Sequence, residues 1–329
     1  MINAPLAYYQ ADYLHAVKCL KEIADVSPNH YDIERYVNNS ISCLRFFPTL
    51  KVTEDRLIVR MRPEWHKDEE EQYSYPHNKE LVGMGRANLP QEPMFYGSIT
   101  DVSTDVFSAS RISAMEIADK AFENGHCKMH VTMSAWRVKK TLLVFPVIHH
   151  SLYNDLSKES NQLVSKLRSG YEKGREEWGR EETIDDLTLQ INDDIYKFWS
   201  EEFQKHIIDG NYQRTAYFTE IMLNEQHEWS KERKIYDGIL YPSHKAYGRL
   251  GCNIAIRPDV VDSQLELVAK IRGTLYVNQL SKKTKRLLQP EIDMVKLNGQ
   301  WRQEQVPYNE EELCNELSIK NVDELELIK

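Results

Sequence analysis

No stretch of the chain reads GxSxG, GxxxxGK[ST] or GxGxxG. The nucleophile elbow, the P-loop and the dinucleotide fingerprint are therefore absent, and with them the simplest hydrolase, NTPase and Rossmann readings. The longest apolar run, residues 141–148, is far too short to cross a bilayer and contains Pro146. No membrane span is expected. No self-similar period of about 20–50 residues recurs, which excludes solenoids and propellers. The five cysteines are odd in number, scattered and never spaced as CxxC, so they read as reduced thiols and not as a disulfide framework. A basic excess is missing too: 42 Lys and Arg against 51 Asp and Glu give a net charge of −9, which argues against direct nucleic-acid binding. The start, Met-Ile-Asn-Ala-Pro-Leu, lacks the basic and apolar regions of a signal peptide, and the expectation is a cytoplasmic protein.

What is present reads as a folded protein. Hydrophobic residues make up 41% of the 329 and aromatics 10%, enough to bury a sizeable core. Residues 13–44 carry a helical pattern, broken at Pro28 and Asn29, with Ile33, Tyr36, Val37, Ile41 and Leu44 recurring at three and four residues. Residues 56–62 are short, β-branched and alternating, and read as a strand ended by Pro63; residues 93–96 read as another. Between them, residues 65–80 are polar and charged and read as a surface excursion. Residues 110–122 place Ile112, Met115, Ala118 and Phe122 on one helical face. Residues 128–138 and 141–147 read as two strands meeting at a Lys139-Lys140 turn. A helical block follows over 151–235, marked by the stripe Ile184, Leu187, Ile191, Ile195 and Phe198 and by a second helix around Phe218 and Met222. Residues 239–242, 253–256 and 265–276 read as the last strands, and residues 281–329 as a charged extension beyond the sheet.

Several side-chain groups are candidates for chemistry. His126, Cys127 and His130 have zinc-binding composition but no second ligand pair, and His149-His150 reads as a core or surface pair, so no metal is expected. Arg60 and Arg62 share one face of their strand because strand side chains alternate. Arg86 sits in Gly83-Met-Gly-Arg-Ala-Asn-Leu-Pro90, a segment suited to close approach of a ligand to the backbone. Arginine forks match diphosphates, although solvated or ion-paired arginines explain the same residues. Ser243 closes a strand, where pockets form, and is equally a common turn residue.

Taken together, Val59-Arg-Met-Arg-Pro63, Gly85-Arg-Ala-Asn-Leu-Pro-Gln-Glu-Pro-Met-Phe-Tyr96, Ser113-Ala-Met-Glu-Ile117, Asp237-Gly-Ile-Leu-Tyr-Pro-Ser243 and Asn253-Ile-Ala-Ile-Arg-Pro258 resemble the RES domain, over roughly residues 50–280. The resemblance implies an α+β fold with an ADP-ribosyltransferase-like split β-sheet, N-terminal helices over 1–49 and a helical insertion over about 151–235. It implies a toxin that cleaves the nicotinamide glycosidic bond of NAD by hydrolysis or phosphorolysis, held in check by an Xre-type antitoxin. A protein ADP-ribosyltransferase and a catalytically inactive interaction module are its rivals. Carried over, Arg86, Glu116 and Ser243 are the name-giving residues; Arg60, Arg62, Tyr96 and Ser243 join Arg86 in binding NAD. The stretch between Tyr96 and Glu116 is longer than the family's usual spacing, and Glu123 is the alternative glutamate.

Overall fold

A computed structural model describes residues 15, 18–19, 30–44, 48–63, 73–99, 106–117, 126–153, 158–179, 186–205, 212–224, 236–243, 251–280, 283–297, 299–304, 309–317, 320–321 and 326–328. Most of the first helix of the expected N-terminal pair and residues 65–72 of the 65–80 excursion lie outside the described residues. In chain order the elements are α1 (His30–Ser42), β1 (Leu50–Val52), β2 (Leu57–Pro63), β3 (Phe95–Ile99), α2 (Val106–Ile117), β4 (His126–Val138), β5 (Leu142–Pro146), α3 (Lys158–Gly179), α4 (Asp186–Gln204), α5 (Gln213–Leu223), β6 (Gly238–Pro242), β7 (Cys252–Ile256), α6 (Pro258–Gln264), β8 (Leu265–Leu280), β9 (Lys283–Leu297), β10 (Gln300–Glu304), α7 (Glu310–Leu317) and β11 (Glu326–Ile328). The fold is α+β, as the sequence reading holds.

The strands run in the order β1-β5-β6-β7-β3-β2-β4-β8-β9-β10, with β11 parallel to β4. Two well-paired halves meet between β3 and β2 through the single pair Val59↔Ser98. Beyond it the two strands part: Arg60 to Pro63 pair only with β4, and Phe95 to Gly97 only with β7. This is the split in the sheet.

Period-two alternation decides which residues each face receives. On β6 and β7, Ile239, Tyr241 and Ala255 pack with Phe145, with Ile33, Val37 and Ile41 of α1, with Trp199 and Phe203 of α4 and with Phe218 of α5. Their neighbours Leu240, Ile254 and Ile256 face the other way, against Ile58, Phe95, Trp136 and Val261. Helix α2 lies over the split and packs Ala109 and Ala114 against Val59, Met61, Met129 and Val131. The helical block buries Ile195, Phe198, Trp199 and Phe203; of the stripe read from the sequence, Ile195 and Phe198 are buried, Ile191 packs half-buried against the same core, and Leu187 is half-buried.

Two expectations change. Strands β4 and β5 are present but do not pair with each other: β4 lies between β2 and β8, and β5 between β1 and β6. Lys139-Lys140 is thus a crossing from one half-sheet to the other and not a hairpin turn. The sheet also continues past residue 276, since β9 pairs with β8 from Ala269↔Val295 to Leu280↔Lys283. Charge along residues 283–304 masked these strands, because charged side chains are compatible with a sheet face that lacks a core against it.

Candidate functional site

Glu116 occupies the last turn of α2, three residues after Ser113, so both side chains leave the same side of the helix. Its Oε1 accepts a 2.5 Å hydrogen bond from Ser243 Oγ and a 2.8 Å one from Asn253 Nδ2. Ser243 is placed by the end of β6, where its backbone N–H donates to Gly251 O at 2.8 Å. Asn253 faces the same side because it stands opposite Tyr241 on β6 and Ser98 on β3. Among the described residues nothing bonds Oε2. One carboxylate oxygen is therefore anchored twice and the other is available to a ligand.

Sequence reasoning joined Glu116 with Ser243, and the structure brings them into contact. It missed Asn253 as a site residue. The signal was present in its position two residues from Ala255 on a strand, but the partner strand that turns it toward Glu116 is set only by sheet register. The alternative Glu123 lies outside the described residues.

Arg60 lies where β2 and β3 diverge. Its Nη1 donates to Tyr96 O at 2.8 Å, which supplies a partner to a carbonyl that ladder pairing with β2 no longer reaches. Its Nε is buried without a partner, and its guanidinium carbon stands 5.7 Å from the centre of the Phe95 ring. Burial, and next the charge of Arg62 on the same strand face, pull the Arg60 guanidinium down to about 9. Two like charges and a donor without an acceptor favour an anionic ligand at this place.

Arg86 and Tyr96 organise the loop before β3. Tyr96 Oη donates to Asn88 Oδ1 at 2.6 Å and accepts from Ala87 N–H at 2.8 Å, while Asn88 Nδ2 donates to Gly83 O and Leu89 O, each at 2.8 Å. A Cβ on Gly85 would lie 2.3 Å from Asn88 Oδ1 and 2.7 Å from Tyr96 Oη. The close backbone approach expected at this glycine is thus made by the protein's own Asn88 and Tyr96. Arg86 donates from Nη1 to Phe203 O at 2.8 Å and from Nη2 to Lys205 O at 3.1 Å, and stacks 4.9 Å from the Tyr212 ring centre. Its fork closes the C-terminal end of α4, whose last carbonyls have no partner within the helix and carry the negative end of the dipole.

The buried Tyr241 phenol is pushed well above its ordinary range, first by burial and then by Tyr96 and Glu116, with Arg86 opposing. Tyr96 is likewise pushed up by burial, against the pull of the Ala87 amide, Arg86 and Arg60. Both phenols remain protonated donors across the physiological range. Arg62 is half-buried and adds charge beside Arg60.

The histidines resolve differently. His130 bonds Thr274 Oγ1 through Nδ1 at 3.1 Å, and the side chains of His126 and Cys127 lie outside the described residues. His149 is buried, and its Nδ1 accepts from the Ser151 amide at 3.3 Å, which leaves its proton on Nε2 to donate to Asp193 Oδ1 at 2.8 Å. Among the described residues no three His, Cys, Asp or Glu side chains gather to hold a metal, and no described helix is long and apolar enough to cross a membrane.

The fold is α+β with a split sheet: Ser243 and Asn253 of one half hold Glu116, and Arg60 and Arg62 stand on β2 of the other. No protein-family model and no curated protein matches the chain. Among solved structures it is similar to a chain of the M. tuberculosis MbcT-MbcA toxin-antitoxin complex, with 12% identity and a TM-score of 0.26, covering 75% of this chain and 92% of that one.

Proposed function

We propose that the protein is an NAD-consuming enzyme of RES type that binds its substrate at the split in the sheet and breaks the bond between nicotinamide and ribose. The observation that carries this reading is the Glu116 carboxylate, anchored through Oε1 by Ser243 and Asn253 with Oε2 unengaged among the described residues. As the glycosidic bond breaks, its electron pair leaves with nicotinamide and positive charge develops on the ribose. A fixed carboxylate stabilises such an oxocarbenium-like state without reorganising. Water then adds its oxygen to the ribose carbon and releases a proton, giving ADP-ribose; phosphate adding in its place gives ADP-ribose phosphate.

Arg60, with Arg62 beside it, would hold the pyrophosphate by charge-assisted bonds, using the Nε that has no partner in the protein. The Tyr96 hydroxyl acts on the Gly85 to Asn88 loop. Arg86 in this reading supports the site by fixing α4 and adding positive charge near Tyr96. We place the NAD-binding unit at residues 50–280 with the helical insertion at 151–235, acting on the cytoplasmic NAD pool under the control of an Xre-type antitoxin.

The test is chromatography of NAD, nicotinamide, ADP-ribose and its phosphate after incubation with the purified protein, in buffers with and without phosphate, beside Glu116→Gln. Nicotinamide release by the wild type and its loss in the variant is the expected result. Label carried from NAD onto protein would redirect the reading to ADP-ribose transfer, and unchanged NAD in every condition would end it.

A further inference from the structure

We propose that Ser113, Ser98 and Asn253 form a one-way hydrogen-bond relay that positions Glu116 and ties it to the junction of the two half-sheets. The inference rests on the NAD-cleaving reading for its kinetic consequence but has a readout of its own. Ser113 Oγ lies 2.9 Å from Ser98 Oγ and 3.0 Å from Val59 O; Ser98 Oγ donates to Asn253 Oδ1 at 3.0 Å; Asn253 Nδ2 donates to Glu116 Oε1 at 2.8 Å.

The direction follows from the inventory of protons. An amide oxygen only accepts, so Ser98 gives its one proton to Asn253, and Ser113 shares its single proton between Ser98 Oγ and Val59 O. Turning the Asn253 amide over would set its oxygen against Glu116 Oε1, two acceptors at hydrogen-bond distance. Each member thus fixes the next. The glutamate's anchoring oxygen is defined by a hydroxyl on its own helix, one turn earlier.

The relay also crosses the split where the halves touch. Val59 and Ser98 are the pair that joins β2 to β3, and Ser113 reaches both of them. Ser98, Ser113 and Asn253 are 2%, 5% and 6% exposed, beside the apolar packing of Ala109 and Ala114 on Val59 and Met61. Buried polar groups of this kind are costly unless every bond is made, and apolar residues would pack the same junction. A relay that ends on the one carboxylate at the split has a purpose that apolar packing would not serve.

The three residues are positioning residues, since they reach the substrate only through Glu116. The test uses the full chain and compares Ser98→Ala, Ser113→Ala and Asn253→Ala with Ser113→Thr, which keeps the hydroxyl. Steady-state NAD cleavage is measured together with the carbon-13 chemical shift of the Glu116 side-chain carboxyl at neutral pH, its resonance identified by its loss in Glu116→Gln. Expected are a fall in kcat of about tenfold or more in the alanine variants with KM within about twofold, the loss expected of a displaced catalytic group. A displaced Glu116 carboxyl resonance is expected in Ser98→Ala and Asn253→Ala, with the wild-type position kept in Ser113→Thr. Ser98→Ala removes a single oxygen and keeps the test valid if Asn253→Ala does not fold. Unchanged kcat and an unchanged resonance in Ser98→Ala would overturn the relay while leaving NAD cleavage in place. A wild-type protein inert toward NAD would overturn the functional reading alone, and the resonance would then decide the relay: a displacement in Ser98→Ala upholds it and none overturns it.

Discussion

Ser243 Oγ donates a 2.5 Å hydrogen bond to Glu116 Oε1 across a sequence separation of 127 residues. The contact joins the end of β6 to the last turn of α2. Removing the Ser243 hydroxyl takes one of two donors from the carboxylate. Hydrogen bonds to charged groups contribute about 1.5–3 kcal/mol. Ser243→Ala is therefore expected to lower NAD turnover roughly 10- to 100-fold, and Glu116→Gln about 100-fold or more, the scale of a lost electrostatic stabiliser. Initial rates of nicotinamide release check both.

Arg86 separates two roles that the sequence alone merges. Its fork bonds the carbonyls of Phe203 and Lys205, so Arg86→Ala is expected to cost about 1–2 kcal/mol of stability and to lower hydrogen-exchange protection in the last turn of α4. Loss of turnover with unchanged exchange in that turn would show that the guanidinium acts on substrate and not on the helix.

Gly85 and Tyr96 hold one loop. An added methyl at Gly85 meets Asn88 Oδ1 at 2.3 Å, and Tyr96→Phe leaves the Ala87 N–H without its acceptor. Each of Gly85→Ala and Tyr96→Phe should destabilise by about 1–3 kcal/mol in urea unfolding. Because both disturb the same Asn88 contact, the double variant should lose less than the two losses together. Full additivity would mean that the loop does not act as one unit.

Acid should weaken the junction between β5 and the helical block. Burial holds the His150 imidazole below its ordinary 6.5, with His149 and Arg168 adding to the effect and Asp193 and Glu172 opposing it. The hydrogen bond from His149 holds the Asp193 carboxyl below 3.8, with further help from Tyr171 and the charge of His150 and against its own burial. For His150 the unfolded chain binds the proton more readily, so stability falls as pH drops through 6.5 toward the lower folded value. For Asp193 the favourable contribution is complete above 3.8 and is lost as pH falls through its lower folded value. Urea midpoints measured from pH 7.5 to 5 should decline, and His150→Gln should flatten that decline; an identical slope in the variant would exclude His150 as its source.

Much of the local structure was legible in the chain. Residues 56–62, 239–242 and 253–256 alternate with β-branched residues and form strands, and Ile33, Val37 and Ile41 recur at helical spacing and form the buried face of α1. Glu116 and Ser243 could be paired because each lies in a motif of recognisable residue types. The charged strands β9 and β10 could not be read, since their side chains resemble those of a solvated tail until β8 is present to pair with them. Asn253 was legible as a strand residue and invisible as a partner of Glu116.

The sequence by itself determined α1, the strands at residues 56–62, 239–242 and 253–256, and the residue types offered for chemistry, because periodicity and composition act over a few residues. Only the tertiary structure decided that β2 and β3 share one pair and then part, that Arg86 closes the end of α4, and that a chain of hydrogen bonds from Ser113 sets the Glu116 carboxylate. Those outcomes depend on register and on crossings between segments more than a hundred residues apart, as for Ser243 and Glu116 at a separation of 127. A hydrogen bond requires placement to a few tenths of an ångström, and no local pattern carries that information.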